Sequence, residues 1–247
     1  MSDCLTTQAN GWDADSFRIS LFAPPTHAWP TNGFLSDIFG RPLELEQNSK
    51  RGNFETRLQA IKHGDFQINA FSQAGRMDIN LIVAQAPEHS DRAVVAVEEF
   101  REPLLMVAAK LPCFGPFDRI GVGASLIKVC SSKLDVYRSL ADRFPCLGLN
   151  PEISDDFMLQ MNPVAVDEVG KLNLLERWSY GRFERIDIPV MGQMTDLARV
   201  VSQLEGMKLD LDYNTRVPAA LPLDETRTER VLGKLVDEIF VKAGREQ

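Results

Sequence analysis

Most of the signals that betray a chain's chemistry are missing from this one. No window approaches the run of roughly 20 apolar residues that a membrane-spanning helix needs, so no membrane partner is expected. The four cysteines, Cys4, Cys113, Cys130 and Cys146, are scattered without a C-x-x-C pair. Zinc sites usually bring close Cys or His ligands, so no metal is expected. His27, His63 and His89 are the only histidines, and no two are near each other in sequence. Without a G-x-S-x-G or similar nucleophile context, neither Ser-His-Asp nor Cys-His chemistry has support. Gly121-Val122-Gly123 lacks both the spacing and the Lys-Ser/Thr ending of a phosphate loop, and no cofactor is expected. It sits inside a strand pattern, where glycine lets another group pack closely. The N-terminal stretch MSDCLTTQANGWDADS has neither a basic region nor an apolar core, so a secretory signal is not expected and a cytoplasmic location is. In that reducing compartment the cysteines read as small core hydrophobes.

Positive charge is also scarce. Lys and Arg number 27 against 35 Asp and Glu, a formal net charge of −8. General nucleic-acid binders need basic density to replace counterions, so a nucleic-acid partner is disfavoured. What is present is ordinary globular material: 44% hydrophobic and 25% charged residues over 247 positions. A chain of that length buries roughly 70–75% of its unfolded surface and needs no disulfide or metal staple.

Taken in order, residues 1–15 are polar and read as a loose lead-in. Residues 17–22 alternate as a short strand that Pro24-Pro25 stops. Trp29 and Pro30 open a short helix through Phe34, Leu35, Ile38 and Phe39, ended by Gly40 and Pro42. The polar run 46–53 reads as a loop. A three-strand meander follows at 54–62, 66–72 and 76–85, with Gly64 and Gly75 in the turns. Met77, Ile79, Leu81 and Val83 share one face at period two. A helix is expected from Ser90 or Asp91 to Leu111, kinked at Pro103. Residues 120–129 form the next strand, and Ser132 caps a helix through Leu134, Leu140 and Phe144.

Residues 156–188 read as one long β-hairpin, turning at Asp167-Glu168-Val169-Gly170, with Gly181 as the natural bulge in its second strand. Leu197, Val200, Val201 and Leu204 suggest a helix over 195–206, and 208–213 is a further strand. Val231, Leu232, Leu235, Ile239 and Phe240 mark a strongly amphipathic last helix. The fold class is therefore α+β, antiparallel sheet flanked by helices. A first half at 16–112 and a second at 117–247 can each be written β-α-β-β-β-α. This order fits either a fusion of two repeated halves or one continuous domain.

IGVGASLIK (120–128), DFMLQMNP (156–163), LNLLERWSY (172–180), LDLDYNT (209–215) and DEIF (237–240) carry a resemblance. Over roughly 117–242 the chain resembles a sporadically distributed family of uncharacterised bacterial proteins of similar length. That resemblance implies a soluble cytoplasmic protein, and it brings no established catalytic residues.

Three constellations remain. Asp210 and Asp212 fall on one strand face, where paired carboxylates can hold Mg²⁺ or divide acid and base roles. No further carboxylates accompany them, and a polar outer face explains them as well. Arg177, Trp178, Tyr180, Arg182 and Arg185, with Phe183 between, interleave basic and aromatic residues of the types that dominate interface hot spots. Glu176 and Glu184 alternate with the arginines, which favours cross-strand ion pairs over nucleic acid. Trp178 and Tyr180 share a pleat face and Arg177 lies on the other. The expectation is a non-enzymatic binding or accessory protein that acts on a protein partner, or on a second copy, through this surface. The alternatives are a small-molecule-binding or enzymatic domain, with a cavity between the sheet and the last helix, or a nucleic-acid-binding protein.

Overall fold

The structure, a computed structural model, describes residues 11–30, 33–52, 54–84, 94–167, 170–187, 199–216 and 222–245. Its first strand, β1 (Asp13–Phe22), buries Phe17, Ile19 and Leu21 and turns Arg18 to the opposite side, the alternation of a half-covered strand. Helix α1 (Phe34–Phe39) is short because Gly40 takes a left-handed conformation and donates its N–H back to the Ser36 carbonyl. Then come β2 (Leu45–Arg51), β3 (Phe54–His63), β4 (Phe66–Gln73) and β5 (Arg76–Val83), each pairing antiparallel with the next. Gly64 (φ 58°) and Gly75 (φ 75°) make the two tight turns, where a Cβ would be strained. A two-residue strand β6 (Val95–Ala96) and a 3₁₀ turn at Val97–Phe100 lead into α2 (Arg101–Ala108).

The second half opens with β7 (Arg119–Cys130) and α3 (Lys133–Arg143), whose N-cap Ser132 accepts the Asp135 N–H at 3.2 Å. β8 (Met158–Met161) and β9 (Val164–Asp167) both pair with β10 (Gly170–Asp187), separated by Asn162-Pro163. β10 then pairs along almost its whole length with β11 (Arg199–Thr215), and α4 (Glu225–Arg245) closes the chain.

All these strands belong to one 11-stranded antiparallel sheet, ordered β2-β3-β4-β5-β1-β7-β11-β10-β8, with β6 and β9 off that path. β1 and β7 meet at its middle, so both halves of the chain share a sheet and a single buried cluster. The four α-helices of the described residues lie on one face. Phe17 packs against Phe100 before α2 and against Phe240 of α4; the Leu35 N–H of α1 binds the Gln59 side chain; Tyr137 of α3 stacks on Tyr180. Since opposed residues of antiparallel strands share a face, the rows containing Phe17, Ile19, Ile79, Ala124, Val122, Leu209 and Trp178 all point to the helices. Among the described residues the other face is helix-free.

Several sequence expectations are overturned here. Residues 46–51 of the expected loop belong to edge strand β2, and Asn53 lies outside the described residues; the side chains from Leu45 to Lys50 are exposed and leave no alternation to read, and backbone pairing to β3 holds the strand. Of the expected 90–111 helix, 90–93 lie outside the described residues, 97–100 is a 3₁₀ turn and 101–108 is α-helical. Pro103 then falls in its first turn, where the missing N–H costs nothing. Residues 199–206 of the expected helix are strand, because the length of β10 offers continuous backbone partners; 195–198 lie outside the described residues. Gly181 is not a bulge: it sits squarely opposite Gly206, and the register shift falls between Arg185 and Ile186. The lead-in ends earlier than expected, since Trp12 and Ala14 are buried. Cys113 and Cys146 are exposed and Cys130 is half-buried, so these free thiols are not core hydrophobes; Cys4 lies outside the described residues.

Candidate functional site

The helix-free face is built in rows that cross the strands. One row runs Arg76, Phe22, Arg119 across β5, β1 and β7. The next runs Phe71, Asp78, Ser20, Gly121, Asn214, Asn173, Val164. A third runs Asn80, Arg18, Gly123, Asp212, Leu175, and a fourth Ser125, Asp210, Arg177, Gln160. Local pairing organises the centre. Arg76 grips Asp78 with its Nε 2.7 Å from one carboxylate oxygen and a terminal nitrogen 2.9 Å from the other, and Ser20 donates to the same carboxylate at 2.6 Å. The ring of Phe22 lies between the guanidinium groups of Arg76 and Arg119, each 5.2 Å from its centroid.

Gly121 and Gly123 make room at the middle of this face. Arg18 crosses above Gly123, where an added Cβ would lie 3.6 Å from its guanidinium and 3.0 Å from the Leu211 carbonyl. The arginine thereby reaches within 3.9 Å of Asp212. Asp210 and Asp212 do share this face, as their spacing requires. Asp210 is paired with Lys208 at 3.0 Å and Asp212 accepts from the Asn214 side chain at 3.3 Å. Among the described residues no group of three or more His, Cys, Asp or Glu could hold a metal.

The basic-aromatic cluster of β10 is split between the two faces. Arg177 projects to the helix-free side and donates to Gln160 at 3.1 Å. Trp178 belongs to the core and is 0% exposed. It meets Trp12 edge-on at 5.9 Å and Phe144 at 5.5 Å, with the Arg143 guanidinium 4.1 Å from its centroid. An interaction surface that included Trp178 is therefore corrected: α3 and the chain's own Trp12 cover that ring. Tyr180 is partly buried; its hydroxyl donates to Glu205 at 2.9 Å, and desolvation, followed by that carboxylate, raises its pKa. Arg182 is exposed, and the Arg185 side chain lies outside the described residues.

Two features escaped the sequence. Glu176, 6% exposed, is held by Lys242 of α4 at 2.9 Å, with the Tyr213 hydroxyl at 3.3 Å and the Trp178 N–H at 3.4 Å, tying the last helix to the sheet. The second is a run of exposed apolar residues at one sheet edge. Met158 is 65% exposed, Val164 46% and Val166 71%, all on the helix-free face of β8 and β9. The opposite edge, β2, is protected by Glu46 and Lys50, as edge strands usually are.

The cavity expected between sheet and last helix is filled instead. Phe17 stacks on Phe240 at 5.6 Å, and Leu209, Leu211 and Ile239 are buried beside them. A cavity of about 430 Å³ opens elsewhere, where Trp29, Phe34, Ile38 and Phe114 form apolar walls and Asp37 and Lys110 supply charge. No helix of the described residues is long and apolar enough to cross a membrane. No protein-family model, curated protein or solved structure matches this chain.

Proposed function

We propose that the chain is a non-enzymatic cytoplasmic binding protein that engages a protein partner through the helix-free face and the β8–β9 edge. The observation that carries this reading is the exposure of Met158, Val164 and Val166 together at one sheet edge, at 65%, 46% and 71%, against 38–39% for Ile82 and Leu45 elsewhere on the same face. Apolar groups left in water on an edge strand are costly unless a partner covers them, and an edge also offers unpaired backbone groups. Of the β10 cluster, Arg177 belongs to this surface. The family resemblance over 117–242 is part of the same proposal.

The halves are read as a duplication. In each, the first strand stands at the sheet centre (β1, β7) with β5 or β11 beside it, and earlier strands step outward in reverse order; β8 and β9 share the place next to β10, and the two-residue β6 pairs with β1. Antiparallel pairing of β1 with β7 is what a two-fold axis through the sheet would produce. That symmetry would join two open half-faces into one broad binding surface.

The test is affinity purification from the native host with wild-type protein and with Met158→Asp/Val166→Asp. The double variant should keep its thermal midpoint and lose the copurifying protein. Full retention, or recovery of nucleic acid alone, overturns the reading. The aromatic cavity at Trp29, Phe34 and Phe114 supports a second reading, small-molecule binding; a ligand that raises the midpoint of wild type but not of Phe114→Ala would establish it.

A further inference from the structure

At one end of the helix-free face the acidic character of the chain reverses. Phe22 of β1 is opposite Arg119 of β7. The next position on the neighbouring strand is Arg216, which follows β11 directly and whose N–H binds the Lys171 carbonyl of β10. Lys171 in turn is opposite Val166 of β9. The order across the sheet is therefore Arg119, Arg216, Lys171, Val166, with Val164 one pleat away. Arg216 and Lys171 are exposed and Arg119 is half-buried. None of the three has an acidic partner among the described residues, whereas Arg76, Arg18 and Lys208 on the same face are each matched by an aspartate. The Arg119 Nε is shielded and finds no hydrogen-bond partner. Three cations without an acidic partner among the described residues form a local exception in a chain of net charge −8.

We propose that this end of the sheet binds an acidic segment of the partner protein, two or three carboxylates followed by an apolar side chain that seats beside Val164 and Val166. The proposal rests on the reading of this face as a protein interface and names the chemistry of its partner. Charge complementarity selects the occupant. Adjacent strands are about 4.8 Å apart, so the three cations span about 10 Å. Alternate side chains of an extended peptide are roughly 6.6 Å apart, a separation that long Arg and Lys side chains can bracket. Beyond Lys171 the row turns apolar, which places the apolar side chain at one end of the segment. Nucleic acid is the weaker occupant, because single strands gain most by stacking bases on open aromatic faces. Phe22, the aromatic residue in this row, already lies between two guanidinium groups.

The experiment pans a displayed library of random dodecapeptides against the full-length chain. Enriched peptides should carry acidic residues at alternate positions ahead of an apolar one. The synthesised consensus should bind more tightly at low salt and weaken by roughly tenfold or more in Arg119→Glu/Arg216→Glu. Arg216→Glu alone, remote from the Phe22 contact, provides a variant whose fold is not at issue. Peptides without acidic residues, equal binding by the charge-reversed variants, absence of any binder, or stronger competition by oligothymidylate would each overturn the proposal. If Met158→Asp/Val166→Asp loses the native partner while Arg119→Glu/Arg216→Glu keeps it, the interface stands and the acidic segment falls.

Discussion

Trp178→Ala separates a core residue from a contact residue. The indole is fully buried, edge-on to both Trp12 and Phe144 and covered by Arg143. Burying a Trp removes on the order of 200 Å² from water, which at about 25 cal/mol per Å² corresponds to ~5 kcal/mol. That is an upper value, since the unfolded chain already hides part of the ring. Measured losses for a core Trp truncated to Ala run about 3–5 kcal/mol, a large share of the 5–15 kcal/mol that holds a typical domain together. Urea unfolding followed by circular dichroism should thus show a midpoint shifted far downward, or no folded baseline. Trp178→Phe keeps much of the packing and loses the long N–H contact to Glu176, so it should cost about 1 kcal/mol. A loss below about 1 kcal/mol for Trp178→Ala would mean that the ring is not packed as described.

Gly206→Ala places a Cβ 2.5 Å from both Ile127 Cγ1 and the Lys128 carbonyl, and backbone cannot yield as a side chain can. It should destabilise by about 1–3 kcal/mol in the same assay. Ser132→Ala removes the α3 N-cap and should cost about 1 kcal/mol, with Ser132→Asp restoring most of it. Desolvation raises the Cys130 thiol above its ordinary pKa. Residue-resolved mass spectrometry of alkylation near pH 8 should find Cys113 and Cys146 modified well before Cys130. Because the folded pKa is the higher one, any stability linked to Cys130 is intact below about pH 9 and falls as pH rises past it. Chelation by EDTA should leave the thermal midpoint unchanged, since Asp210 and Asp212 are engaged by Lys208, Arg18 and Asn214; a drop reversed by a divalent ion would refute that assignment.

Local chemistry alone determined the meander at 54–83, the Ser132 cap, the short helix closed by Gly40, the pairing of Asp167 with Gly170 and the amphipathic last helix. In each case one turn, one cap or one periodic stripe carries the signal within a few residues. Strand β2 and residues 199–206 were not legible in this way. The first has only polar side chains after Leu45, and the second spaces its apolar residues as a helix would; both become strands because a long neighbour supplies backbone partners. The candidate site divides similarly. Alternation correctly put Arg177 on the face opposite Trp178 and Tyr180, and Asp210 with Asp212. Which face the helices cover is a matter of long-range packing, and that alone buried Trp178 and left Met158, Val164 and Val166 in solvent. The row Arg119, Arg216, Lys171 joins residues from three separate strand regions, and only the registers of β1, β7, β10 and β11 bring them side by side.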